Sequence, residues 1–109
     1  MSPPGGVFLV AYVEQRPVGC GGLRRIDATT CEIKHMWLDP AARGLGLGRE
    51  LLDALEQWAS RLGYETVRLD TSRHLHEALG LYRSSAYLEV APYNQNPYAA
   101  HWFEKHLES

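Results

Sequence analysis

The first hydrophobic signal in the chain is a continuous β-rich run at residues 7 to 13, Val-Phe-Leu-Val-Ala-Tyr-Val. A polar break, Glu14-Gln15-Arg16-Pro17, separates it from a second apolar run at 18 to 25, and the pair predicts an antiparallel hairpin. Gly19, Gly21 and Gly22 interrupt the second run; glycines inside a strand mark a bulge or a close backbone approach. Asp27-Ala28-Thr29-Thr30 turns the chain into a third strand, Cys31 to Leu38, antiparallel to the second. Its alternation predicts Glu32, Lys34, Met36 and Leu38 on one face and Ile33, His35 and Trp37 on the other.

Beyond Asp39, a capping residue, and Pro40, suited to a first turn, the apolar spacing changes from that of a strand to that of a helix. Leu47, Leu51, Leu52, Leu55, Trp58, Ala59 and Leu62 form one broad apolar face of a helix from about Gly46 to Leu62, with Gly63 as its stop. Arg49 with Asp53, and Gln57 with Arg61, lie on its wet side. Glu65 to Thr71 is then a strand parallel to the third, since a helix of about four turns intervenes, and the unit is a right-handed βαβ crossover. A second helix, about Leu75 to Ala86, carries Leu75, Ala78, Leu79 and Tyr82 on one side. A strand near Tyr87 to Ala91, a loop from Pro92 to Pro97 and a last strand, about Ala100 to Leu107, complete a mixed α/β fold around a central mixed sheet.

Composition narrows the classes. The chain has 109 residues, 45% of them apolar, enough for one core, so residues 7–109 read as a single domain behind a flexible stretch at 1–6. A net charge of −2 offers no basic field for nucleic acid. No run reaches the ~18 apolar residues of a membrane span, and the start lacks a charged-then-apolar signal, so a cytoplasmic protein without membrane contact is expected. Cys20 and Cys31 are expected as free thiols. His74-x-His76 is the closest histidine pair and no Cys/His ligand set accompanies it, so no metal is expected.

The stretch joining the third strand to the first helix carries the chemistry. Gly44, Gly46 and Gly48 alternate through it, leaving backbone N–H groups free to converge on one anion at the helix's positive end, with Arg43 and Arg49 beside them. This predicts a cradle for a polyphosphate. A mononucleotide P-loop would need Lys and then Ser or Thr after the last glycine, where Arg49 and Glu50 stand. A dinucleotide fingerprint would need glycine where Arg49 stands, although Asp70 could mimic its ribose-binding acid.

Arg43-x-x-Gly46-x-Gly48 after Leu38-Asp39-Pro40 resembles the pyrophosphate-binding motif of the GNAT superfamily of N-acetyltransferases, which use acetyl-coenzyme A. Ala78-x-x-Leu81-Tyr82-x-x-x-Ala86-Tyr87 is similar to that family's second signature, and the resemblance covers about residues 7 to 107. The resemblance implies that the third and fourth strands splay apart to admit the pantetheine arm. The backbone of Met36, Trp37 and Leu38 would hold that arm, and the N–H groups of Gly44, Leu45, Gly46, Leu47, Gly48 and Arg49 the pyrophosphate. It also implies that Tyr82 protonates the departing thiolate. An amine acceptor, with a pKa of about 10, must lose a proton to a carboxylate; Glu32 and then Asp70 are the candidates by position.

Three features depart from the family pattern. Leu75 stands where an arm-contacting Asn is common, leaving Ser72 or His74 to substitute, and Ala86 replaces a glycine at the helix stop. Only six residues precede the first hairpin, where the family has a strand and two helices, so a shortened or fragmentary domain, or one completed by another subunit, such as a homodimer, is expected. The tail, Pro92-Tyr93-Asn94-Gln95-Asn96-Pro97-Tyr98 with His101-Trp102-Phe103, reads either as an acceptor mouth, in which Tyr93, Asn94 and Asn96 would contact a small-molecule or peptide amine, or as a rigid turn with Trp102 and Phe103 as core and rim. A non-catalytic acyl-coenzyme A-binding domain and a dinucleotide-binding module are the alternatives.

Overall fold

A computed structural model of the chain describes residues 6–42, 46–72 and 76–107. Expectations concerning Met1 to Gly5, Arg43, Gly44, Leu45, His74 and Leu75 lie outside the described residues. The elements are β1 (Val7–Val13), β2 (Arg16–Arg25), β3 (Thr30–Leu38), a 3-10 turn (Pro40–Ala42), α1 (Leu47–Arg61), β4 (Thr66–Ser72), α2 (His76–Ser84), β5 (Leu88–Val90) and β6 (Ala99–His106). They form one six-stranded sheet in the order β1-β2-β3-β4-β6-β5, antiparallel except for the β3–β4 pair. Among the described residues, no helix is long and apolar enough to cross a membrane.

The β1–β2 turn is tighter than the sequence suggests. Only Glu14 and Gln15 lie between the strands, both at positive φ, 51° and 69°, so the turn's twist follows that of the strands although neither residue is a glycine. Arg16 and Pro17 belong to β2.

Both helices pack on one face of the sheet. Leu23, Cys31, Ile33, Val67, Leu69 and Phe103 project from the strands into the same core as Leu51, Leu52, Leu55 and Ala59 of α1 and Leu79 and Tyr82 of α2. Trp58 and Leu62, expected on the buried face, are exposed at its margin, and Trp58 instead lies beneath the Arg61 guanidinium. The two cysteines are free: Cys31 is buried on the helix face, whereas Cys20 pairs with Val10 and Trp37 on the other.

The strict alternation expected for β3 fails at one residue. The ladder runs from Cys20↔Trp37 to Gly22↔Lys34, so β3 has one residue more than β2 there, and His35 takes a left-handed conformation, φ 57°. This bulge turns the rest of the strand over. Met36 and Leu38 consequently join Ile33 on the helix face, where the Met36 sulfur lies against Gly21 and Leu38 against Gly48. Trp37 is left on the opposite face with Glu32 and Lys34.

Ala86 ends α2 as a glycine would. It sits at φ 71°, while Ala86 N–H donates to Arg83 and Tyr87 N–H to the Tyr82 carbonyl, 3.0 Å away, which is the Schellman pattern.

Candidate active site

The pairing of β3 with β4 is short. Thr30↔Thr66, Cys31↔Val67 and Glu32↔Arg68 face each other, and beyond them the strands diverge, with β3 continuing against β2 and β4 against β6. The backbone of Met36 to Leu38 therefore borders an opening on its β4 side. At the end of that stretch, Leu38 lies against Gly48 at the start of α1.

The glycines of the turn have separate causes. Gly46 precedes α1 in a left-handed conformation, φ 76°, with nothing within 4 Å of where a Cβ would stand, so backbone geometry dictates the residue. At Gly48 a Cβ would come within 3.3 Å of Leu81 and 3.7 Å of Leu38, so its absence lets α1 and α2 close on each other. Gly46 C=O accepts from Glu50 N–H, and the N–H groups of Leu47, Gly48 and Arg49 belong to the first turn, which an α-helix leaves without internal partners. The Arg49 guanidinium donates to Ser84 Oγ at 2.8 Å, tying α1 to the end of α2.

Below the opening, the sheet face away from the helices carries a polar network. Glu32, with no exposed surface, accepts from Arg24 at 2.9 Å on Oε1. Its Oε2 accepts from the Tyr93 hydroxyl at 2.6 Å and Asn94 Nδ2 at 3.4 Å, with Lys34 Nζ at 3.3 Å. Asp70 accepts from Asn94 Nδ2 at 2.7 Å and Asn96 Nδ2 at 3.3 Å, with Lys34 Nζ at 3.7 Å. Asn94 joins the two carboxylates, and its Oδ1 accepts from Trp102 Nε1 at 2.9 Å and Asn96 N–H at 3.1 Å. An indole N–H can only donate, so this contact fixes which end of the amide faces the carboxylates. Burial, and then the Glu32 carboxylate, push the Tyr93 hydroxyl far above the usual tyrosine range.

Tyr82 occupies the other face. Its ring lies 5.9 Å from Tyr87, edge-on, and 6.0 Å from Phe103, and burial raises its hydroxyl from 10.0 to about 12. The hydroxyl itself has no hydrogen-bond partner among the described residues. Nearby on the same face, the Thr71 hydroxyl is buried without a partner among the described residues, near the open end of β4.

The structure thus brings Glu32, Asp70, Tyr93, Asn94 and Asn96 together on one face and holds Tyr82 on the other. Sequence reasoning did not reach the roles of Arg24, Lys34 and Trp102. Lys34 shares a face with Glu32 two residues away, a legible signal, whereas Trp102 bonding to Asn94 depends on how the loop folds.

A family model, Acetyltransferase (GNAT) family, matches residues 1–87. An uncharacterised N-acetyltransferase of Schizosaccharomyces pombe is 36% identical over 97 residues, covering 87% of this chain and 60% of the relative. A GNAT-family acetyltransferase structure from Staphylococcus aureus superposes with a TM-score of 0.88 at 24% identity, over 96% of this chain and 70% of that one. Another from Elizabethkingia anophelis, with acetyl-CoA bound, gives 0.79 at 19% identity, over 94% and 77%. These two likenesses are of fold. The chain spans between 50% and 60% of the length of the first curated relatives it matches. With two ordered motifs, a splayed parallel pair and a family model over most of its length, the chain belongs to the acetyltransferase (GNAT) family.

Proposed function

We propose that the chain carries the catalytic elements of an acetyl-CoA-dependent N-acetyltransferase that passes the acetyl group directly to an amine of a small molecule or peptide. The observation that carries this reading is the opening between β3 and β4, which begins after Glu32↔Arg68, runs toward the left-handed turn at Gly46, and has carboxylates on one face and a protonated tyrosine on the other. The acyl donor fits these residues: the Thr71 hydroxyl, without a partner among the described residues, offers it a polar contact, and the first-turn N–H groups of α1 offer its phosphates donors. Acetyl-CoA, bound to the related Elizabethkingia protein, supplies an activated acyl thioester.

In this reading the backbone of Met36, Trp37 and Leu38 holds the pantetheine arm, and Gly46 to Arg49, with Arg43, Gly44 and Leu45, hold the pyrophosphate. Arg49 would exchange Ser84 for phosphate. Asp70 or Glu32 receives the acceptor's proton. Asp70 is the better placed, because Glu32 already accepts from Arg24, Tyr93 and Asn94 beside the Lys34 ammonium. Tyr82, kept neutral by burial, protonates the leaving thiolate. Tyr93, Asn94 and Asn96 border the acceptor's side. The enzyme would act in the cytoplasm, as a homodimer.

Tyr82→Phe tests the assignment. Turnover, read as thiol release across a panel of amines, falls about 100-fold or more, while acetyl-CoA affinity by calorimetric titration stays within about twofold. Unchanged turnover removes Tyr82 from the mechanism. Binding with no thiol release from any amine in the unaltered chain favours the second reading, an acyl-CoA-binding module without turnover, for which the saturated hydrogen bonding of Glu32 speaks.

A further inference from the structure

We propose that Lys34 is itself acetylated by the chain, through the same site. The inference rests on the acetyltransferase reading above. The face on which an acceptor amine would meet Glu32 and Asp70 already holds an amine, the Lys34 ammonium, 3.3 Å from Glu32 Oε2 and 3.7 Å from Asp70 Oδ2. Lys34 lies two positions beyond the last β3–β4 pair on its own strand, as Asp70 does on β4, so the two side chains meet where the strands begin to part. It is also two residues before Met36, where the backbone bordering the opening begins. Its side chain keeps 28% of its surface exposed, so it is held by charge and hydrogen bonding rather than walled in.

Among the described residues no other amine is so placed. The chain contains two lysines. Lys105 lies on the helix face, bonded to Glu56 at 2.8 Å and seated over the Tyr87 ring. Arg24, the other cation at Glu32, carries a guanidinium that stays protonated and is a poor nucleophile.

The step balances without a further reactant. Lys34 gives a proton to Asp70, whose carboxylate carries fewer hydrogen bonds among the described residues than that of Glu32. The neutral amine then attacks the thioester carbonyl of acetyl-CoA. A C–N bond forms, the C–S bond breaks, and Tyr82 protonates the departing thiolate. Tyr82 and Asp70 then re-equilibrate with solvent, so the net products are Nε-acetyl-lysine, free coenzyme A and one proton. The modified chain has lost a positive charge between two carboxylates.

The experiment uses the full chain incubated with acetyl-CoA, followed by intact-mass and fragment mass spectrometry and by isoelectric focusing. Expected are one acetyl group per chain, located on Lys34, a shift of the band to lower pI, and Lys105 unmodified. Lys34→Arg removes the adduct and Lys105→Arg leaves it unchanged; the location in the unaltered chain stands even if Lys34→Arg folds poorly. The urea-unfolded chain shows no preference between the lysines. Equal modification of Lys34 and Lys105 in the folded chain overturns the proposal, marking simple chemical acylation. So does an unmodified Lys34 in a chain that binds acetyl-CoA by titration, and this outcome leaves the acetyltransferase reading standing. Absence of acetyl-CoA binding removes both.

Discussion

The two faces of the sheet are built on different principles. One is a continuous apolar layer in which residues from five of the six strands, together with α1 and α2, share a single core. The other is divided. Beneath the 91–98 loop it is polar, two carboxylates held by cations, amides and a phenol. Toward β1 it is a bare apolar stripe, with Phe8, Tyr12 and Trp37 at 59%, 62% and 51% exposure. The helix face holds the fold together, and the open face presents chemistry while contributing little packing of its own.

The largest effect that separates the faces is a truncation on each. Phe103→Ala, at a side chain with no exposed surface, costs about 3–5 kcal/mol in urea denaturation, whereas Phe8→Ala costs below about 1 kcal/mol. Comparable costs would show that the stripe is covered in solution, and a concentration-dependent cost for Phe8→Ala would identify the cover as another copy.

Alkali probes the buried thiol and phenols, Cys31, Tyr82 and Tyr87 on the helix face and Tyr93 on the other. Burial raises Cys31 from 9.0 to about 12 and Tyr82 from 10.0 to about 12. Their neutral forms are favoured in the folded state, so their contribution is intact below pH 9 and is lost as pH rises from there toward 12. Each group withdraws about 1.4 kcal/mol per pH unit over its own interval. Denaturation midpoints measured between pH 8 and pH 11.5 should fall with that slope, and Cys31→Ala should delay the onset to about pH 10. A midpoint independent of pH in this range would mean that these groups titrate normally.

The smallest effect lies at the margin between the helix layer and the β5–β6 hairpin. Ala86→Gly removes a Cβ from a left-handed residue whose side chain is exposed, and raises stability by about 1 kcal/mol in the same denaturation assay. A loss of stability would mean that the Schellman geometry is not held there.

The two faces were unequally legible in the sequence. Helix spacing from Leu47 to Ala59 and the β-rich runs carry the helix face directly, because burial there selects apolar residues at the period of each element. The open face depends on events that leave little periodic trace. A bulge adds a single residue, His35, without changing composition, yet it reassigns Met36, Trp37 and Leu38. Glu32 reads equally well as a surface carboxylate or a base until Arg24, Lys34, Tyr93 and Asn94 converge on it from three separate segments. The glycine turn was legible as a turn, but the need for Gly48 arises from Leu81, thirty-three residues later, which only the docking of α2 brings near.

The attachment of the 91–98 loop rests on a nitrogen. Asn94 presents its NH2 to both Glu32 and Asp70 and its oxygen to Trp102, so one side chain serves as the neutral adaptor between two anions. Deamidation of that residue would exchange one heavy atom, nitrogen for oxygen, yet it would replace a shared donor with a third negative charge. Chemical ageing at this one position would therefore act as a release catch for the loop, exposing both carboxylates while the helix side of the molecule stayed folded.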